Sequence, residues 1–174
     1  KVVEQGPLEA VERLLDFPEE GIEQQEPDGG PDLSSIEDYP RNFREVLRLL
    51  KDKSPLERKE LRQKLMKANI QALMQTGLWW LNRMMDGPHP LQEKLTLFWH
   101  GHFTTSARDE RSAWLMWRQN DLLRANAAGN IYQFARRISR DPAMLDYLNN
   151  NQNRKKHPNE NYARELMELF TLGI

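Results

Sequence analysis

Two short stretches concentrate the side chains suited to acid–base or metal chemistry. The first is Phe98-Trp99-His100-Gly101-His102-Phe103, which holds two of the four histidines. Histidine is the usual general base near neutral pH and the commonest metal ligand. Residues two apart on a helix point about 200° apart, so His100 and His102 reach one ion only if the helix unwinds at Gly101. A core histidine bonded to a neighbour and a catalytic or ligating one both fit this spacing.

The second stretch runs from Asn159 through Glu160, Asn161, Tyr162, Arg164 and Glu165 to Phe170. Asn161, Glu165 and Glu168 share a helical face next to an apolar stripe of Tyr162, Leu166 and Leu169. A carboxylate there is partly buried, and burial shifts its pKa. Glu165 is placed to buffer a histidine, accept a ligand hydroxyl or coordinate an ion. A buried ion pair, with Asn159 or Asn161 capping the helix, is the plainer use. The candidate catalytic residues are thus His100, His102, Glu160 and Glu165, and the candidate ligand-binding residues are Asn159, Asn161 and Arg164. A divalent metal suits these donors, whereas haem is not expected.

Other features carry less chemistry. The tryptophans Trp79, Trp80, Trp99, Trp114 and Trp117 recur at helical spacing, which suits a core better than a sugar or base platform. Arg136, Arg137, Arg140, Arg154, Lys155 and Lys156 read as a solvated basic face before an anion patch. The chain has no phosphate-cradling glycine loop, no nucleophile elbow and no His-Glu-x-x-His zinc helix. With no cysteine, disulfides and thiolate metal sites are excluded.

The elements that must position these residues are helices. Pro7, Leu8, Val11, Leu14 and Leu15 form a short amphipathic helix over 1–17. Residues 18–40 hold four prolines, three glycines and eight acids without a base, and read as an acidic linker or loop. The remainder, 41–174, is a helical body. A short helix spans Asn42 to Leu50, and Ser54-Pro55-Leu56-Glu57 is a capping box with proline at the first turn. It opens a long helix to about Met85, basic in its first half and apolar nearly all round in its second, as if passing from solvent into a core. His89-Pro90 starts a helix with Leu91, Leu95, Phe98 and His102 on one face. Further helices follow over 108–127 and 130–139, after Asp141-Pro142, and from Asn159 or Asn161 to Leu172. The expected fold is all-α, an irregular multi-helix bundle with a proline- and glycine-rich acidic loop near its N-terminus.

The 174 residues suit one domain, and no apolar run reaches the roughly 18 residues of a membrane span. The formal charge of −1 argues against a nucleic-acid binder. It hides an asymmetry: residues 1–50 carry 5 basic and 13 acidic groups, residues 51–174 carry 20 and 13. The acidic lead is expected to touch the basic half of the long helix, helped by Leu14, Phe17 or Phe43. The chain opens at Lys1 without a methionine or a signal segment and reads as an internal piece of a longer protein.

From Trp80 to Ile174 the chain resembles the bacterial domain-of-unknown-function family numbered 1800. The matching stretches are Pro90 to Phe103 (PLQEKLTLFWHGHF), Asp141 to Leu145 (DPAML) and Pro158 to Gly173 (PNENYARELMELFTLG). Pro7 to Phe17 resembles the family's early helix more loosely. The resemblance implies a bacterial, helical and often exported protein, periplasmic or extracellular, with the cytoplasm as the alternative. It also implies a second exported protein encoded nearby as partner, and a domain longer than this chain. It places His100, His102, Asn159, Glu160, Asn161, Arg164 and Glu165 in signature stretches but gives them no role, because the family's activity is not established.

Two functions compete. In the first, an enzyme joins the His100/His102 helix to the Glu160–Glu165 helix at one polar site. In the second, a helical scaffold binds an exported partner or a surface polymer, and the polar clusters are buried hydrogen-bond networks. The enzyme requires the His and Glu side chains to converge at a pocket; the scaffold requires them apart, or sealed and paired. His102 is expected to be more buried than Lys94 and to pack with Leu95 and Phe98.

Overall fold

The structure, a computed structural model, describes residues 9, 11–12, 30–33, 43–103, 105–106, 112–150, 153–155 and 158–172. Among them are helices and turns and no strand, so the fold is all-α. The expected N-terminal helix lies outside the described residues but for Glu9, Val11 and Glu12, which are helical, and so does most of the acidic segment 18–40. Leu14, Phe17 and the side chain of Phe43, expected to help dock the acidic lead, are also outside.

Helix α1 is Phe43–Leu50 and α2 is Pro55–Asp86, 32 residues or about 48 Å. The capping box forms as read: Ser54 Oγ accepts the Glu57 N–H, and the Glu57 carboxylate accepts the Ser54 N–H at 2.8 Å. Only a narrow stripe of α2 is buried, at Leu65, Ala68, Ala72 and Thr76. Ala68 and Ala72 meet Ala113, with Leu33 and Leu73 at the edge. Small residues let the neighbouring segments approach closely. A Cβ on Gly30 would stand 1.9 Å from the Trp117 ring, so only glycine lets this stretch lie against that indole.

The second half of α2 enters a core, as expected, but on one side only: Ala72 and Thr76 are buried and Trp79, Trp80 and Arg83 half-buried. Met74, Leu78, Leu81 and Met85 stay exposed. Apolar content all round a helix does not bury it when its described neighbours contact only one side.

Helix α3 spans Pro90–His102, α4 Ala113–Ala125, α5 Ile131–Ile138, α6 Pro142–Tyr147 and α7 Glu160–Met167. Side-chain caps set four of these starts: Ser112, Asn130, Asp141 and Asn159 each accept a first-turn N–H. The last helix does not run on as an α-helix. At Glu168 it widens into a π-helical segment to Leu172, where the Thr171 hydroxyl donates to the carbonyls of Leu166 and Met167 at 3.2 and 3.1 Å. Phe170, on that segment, is buried with Phe103, Leu123, Phe134, Ile138 and Met144 in the main apolar core.

Candidate functional site

His102 ends α3 inside an aromatic cage. Its ring meets Trp99 edge-on at 5.7 Å and Phe103 at 4.8 Å, and Phe98 lies parallel to it at 6.4 Å. Its Nε2–H donates to the Phe170 carbonyl at 2.8 Å. Trp99 is tied in the same way, donating its Nε1–H to the Ala127 carbonyl at 2.8 Å. His102 therefore fastens α3 to the π-helical segment, and the two signature stretches do meet, through a main-chain carbonyl. It is more buried than Lys94, as expected, but Phe98 is largely exposed.

The α7 candidates work locally. Asn159 caps α7 at the Tyr162 N–H (3.2 Å) and donates its Nδ2–H to the Leu148 carbonyl at 3.1 Å. Tyr162 donates its hydroxyl to the Ser139 carbonyl, pinning the helix to the end of α5. Glu160, Asn161 and Arg164 are exposed. Arg164 donates to Asn161 at 2.6 Å and lies 3.5 Å from Glu165. No hydrogen bond or ion pair among the described residues joins His100 or His102 to Glu160 or Glu165. None of their groups of three or more His, Asp or Glu is placed to hold a metal ion.

The deepest polar centre lies elsewhere, and the helix phase read from sequence missed it. The most buried residues of α3 are Gln92, Glu93 and Thr96, not the Leu91–Leu95–Phe98–His102 stripe. The reason is electrostatic: Arg124 on α4 is 4 % exposed and Glu93 is 3 % exposed, and each needs the other. Arg124 Nε donates to Glu93 Oε1 at 2.7 Å and Nη2 to Oε2 at 3.1 Å, a two-pronged clamp. Arg83 and Trp80 of α2 donate to the same carboxylate, each at 3.1 Å. Arg124 also reaches Asn120 at 2.6 Å, and both guanidiniums lie over Trp79, at 5.1 and 5.4 Å.

Burial alone would raise the Glu93 pKa; the hydrogen bonds and charges of Arg124, then of Arg83, outweigh it and hold the carboxyl below its ordinary value. One sequence signal pointed here. Arg124 follows Trp117 and Asn120 at i+7 and i+4 on the buried stripe of α4, and a cation on a buried stripe demands an acid.

His100 flanks this centre, its ring 5.1 Å from that of Trp80. Burial pushes its pKa down, which favours the neutral imidazole. A second polar run crosses from Thr105 through Gln119 to Asp141: Gln119 Nε2–H donates to Asp141 Oδ2 at 2.8 Å. Asp141 is pushed above the ordinary carboxylate value by burial, against the hydrogen bonds it accepts from Met144 and Gln119.

No curated protein and no solved structure matches the chain. The profile of one family, described as "Protein of unknown function (DUF1800)", matches residues 1–174, a wider span than the motifs alone covered. The chain belongs to that family.

Proposed function

We propose that these helices are a non-catalytic scaffold and binding module whose polar signature residues hold the helices in register. One observation carries this reading. The Glu93 carboxylate accepts four hydrogen bonds, two at each oxygen, from Arg124, Arg83 and Trp80. A carboxylate offers about four acceptor sites, so none is left for a substrate proton or a metal. His102 Nε2 is likewise engaged by a main-chain carbonyl. The partner, following the family resemblance, is another exported protein, and the scaffold itself works outside the cytoplasm.

The enzymatic reading keeps one specific support. His100 is a half-buried, neutral-leaning imidazole whose ring accepts or donates no hydrogen bond among the described residues. A single experiment separates the two readings: melting curves and elemental analysis of the full-length protein and its His100→Gln, His102→Gln and Glu93→Gln variants. The scaffold predicts lower melting temperatures for His102→Gln and Glu93→Gln, with no stoichiometric metal in any of them. A metal or an activity lost in His100→Gln at unchanged melting temperature overturns it.

A further inference from the structure

The four residues Gly30-Pro31-Asp32-Leu33 have no regular structure, yet they sit against the helices as a bound peptide would. Pro31 is buried, Asp32 exposed and Leu33 half-buried, the in–out–in alternation of an extended segment with one side on a surface. The seat is the seam between α2 and α4. Leu33 packs on Ala68, Ala72 and Ala113, three side chains too small to fill the seam themselves. Gly30 lies on the Trp117 ring, where a Cβ would stand 1.9 Å from Cζ2 and 2.4 Å from Cε2.

The seat has its own framework. Asn69 Oδ1 accepts the Ala113 N–H at 2.9 Å, which ties α2 to the first turn of α4. Ala113 and Trp117 are one turn apart on the buried stripe of α4, and Trp114 meets Trp117 edge-on at 4.9 Å. Each peptide residue answers one feature of the seat. Only glycine has clearance over the indole. Proline is buried without stranding a backbone N–H, and its fixed φ reduces the entropy lost on docking. Leucine, two positions on, reaches the alanine floor. Fit rather than hydrogen bonding holds the indole side: Trp117 is 6 % exposed, and its N–H has no acceptor among the described residues. Opening the seat returns that donor to water, which makes release easier.

We propose that the α2–α4 seam is a peptide-recognition groove for an extended Gly-Pro-x-Leu sequence, and that its ligand is this chain's own residues 30–33. The groove clasps the acidic segment to the helical body, so that the segment is a docked strap and not a plain linker. This goes beyond the scaffold reading and does not depend on it, because a clasp serves the framework of an enzyme equally well.

The endoproteinase Asp-N, which cuts before aspartate, tests the clasp at the Pro31–Asp32 bond of the full-length protein. In the wild type that bond is expected to be cut at least about 100 times more slowly than in a free peptide of residues 26–36. Gly30→Val and Leu33→Gln are each expected to speed the cut about tenfold or more, while cleavage before Asp121, inside α4, stays as slow as in the wild type. The fluorescein-labelled 26–36 peptide is expected to bind the Gly30→Val protein saturably. Its binding to the wild type is expected to be at least about tenfold weaker, because the tethered segment holds the groove at an effective concentration in the millimolar range. The peptide carrying the same Gly30→Val change is expected to bind neither protein.

The proposal fails if the wild type is cut at Pro31–Asp32 as fast as the free peptide, or no more slowly than both variants. It fails if the peptide binds the wild type and the Gly30→Val protein equally, or binds neither. Cleavage before Asp121 that accelerates as much as the cut at Asp32 in both variants also overturns it, since residues 30–33 are then an inseparable part of the core and not the ligand of a groove.

Discussion

The α2–α3–α4 junction and the aromatic core where α3 meets α5 to α7 are both buried, yet they are held by opposite means. At the junction a carboxylate and a guanidinium are sealed from water with every carboxylate lone pair engaged. In the aromatic core Phe103, Phe134 and Phe170 pack at centroid distances of 5.0 to 5.8 Å, and the polar contribution comes from single bonds to main-chain carbonyls, from His102, Trp99 and Tyr162. Apolar packing tolerates small changes of shape and is indifferent to pH. An ion clamp adds little net stability over an apolar substitute, but it fixes position, because any slip leaves a bare charge. The junction therefore sets how α2, α3 and α4 register, while the aromatic core supplies most of the hydrophobic stabilisation.

Removing one side of the clamp should give the largest effect. Arg124→Met leaves a buried carboxylate short of two donors and is expected to cost about 3–5 kcal/mol in chemical denaturation. Phe103→Ala is expected to fall in the same range, about 3–5 kcal/mol, through the cavity it leaves. The contrast lies in rescue. The paired change Glu93→Leu/Arg124→Met should recover most of its loss, and no second substitution should do so for Phe103→Ala.

Breaking the His102 bond is the next step down. His102→Phe keeps the aromatic contacts but removes the donor to Phe170, and should cost about 1–2 kcal/mol. An equal loss for His102→Phe and Phe103→Ala would erase the contrast between bond and packing.

Acid sharpens the comparison further. The Glu93 pKa is lowered in the folded state, so its contribution is complete above its ordinary value of 4.5 and is lost as pH falls through the lowered value. Glu93→Gln should flatten stability in that window, and Phe103→Ala should leave the slope alone. His100 acts at milder acidity with the same sign. Its folded pKa lies below 6.5, the unfolded chain takes up the proton first, and stability falls as pH drops below 6.5. His100→Gln should remove that part of the slope in melts between about pH 7 and 5. The smallest effects belong to the surface of α7, where Arg164→Ala should leave the melting temperature within about 1 °C.

What was legible in the sequence was local. The Ser54–Glu57 box, the Asp141-Pro142 start and the Asn159 cap each depend on residues three apart or fewer, and each forms. The phase of α3 was not legible, because the force burying Glu93 comes from Arg124, 31 residues away on another helix. Apolar spacing favoured Leu91 and Leu95 and had no means of weighing a buried ion pair. The open face of α2 was missed for a related reason: composition counts apolar residues but does not say whether a neighbour stands on that side. Of the candidate site, the expected approach of His100 or His102 to Glu160 or Glu165 shows no hydrogen bond or ion pair among the described residues, and His102 bonds the Phe170 carbonyl, a main-chain partner that side-chain types do not reveal.

The central claim is that the buried polar centre positions helices and takes no part in chemistry. A double-mutant cycle on Glu93→Gln and Arg124→Met, followed by urea unfolding of the full-length protein, tests it most directly. The account predicts that the two losses are strongly non-additive, with a coupling of about 2 kcal/mol or more. A coupling below about 0.5 kcal/mol, or variants that keep full stability while losing a bound metal or an activity, would contradict it.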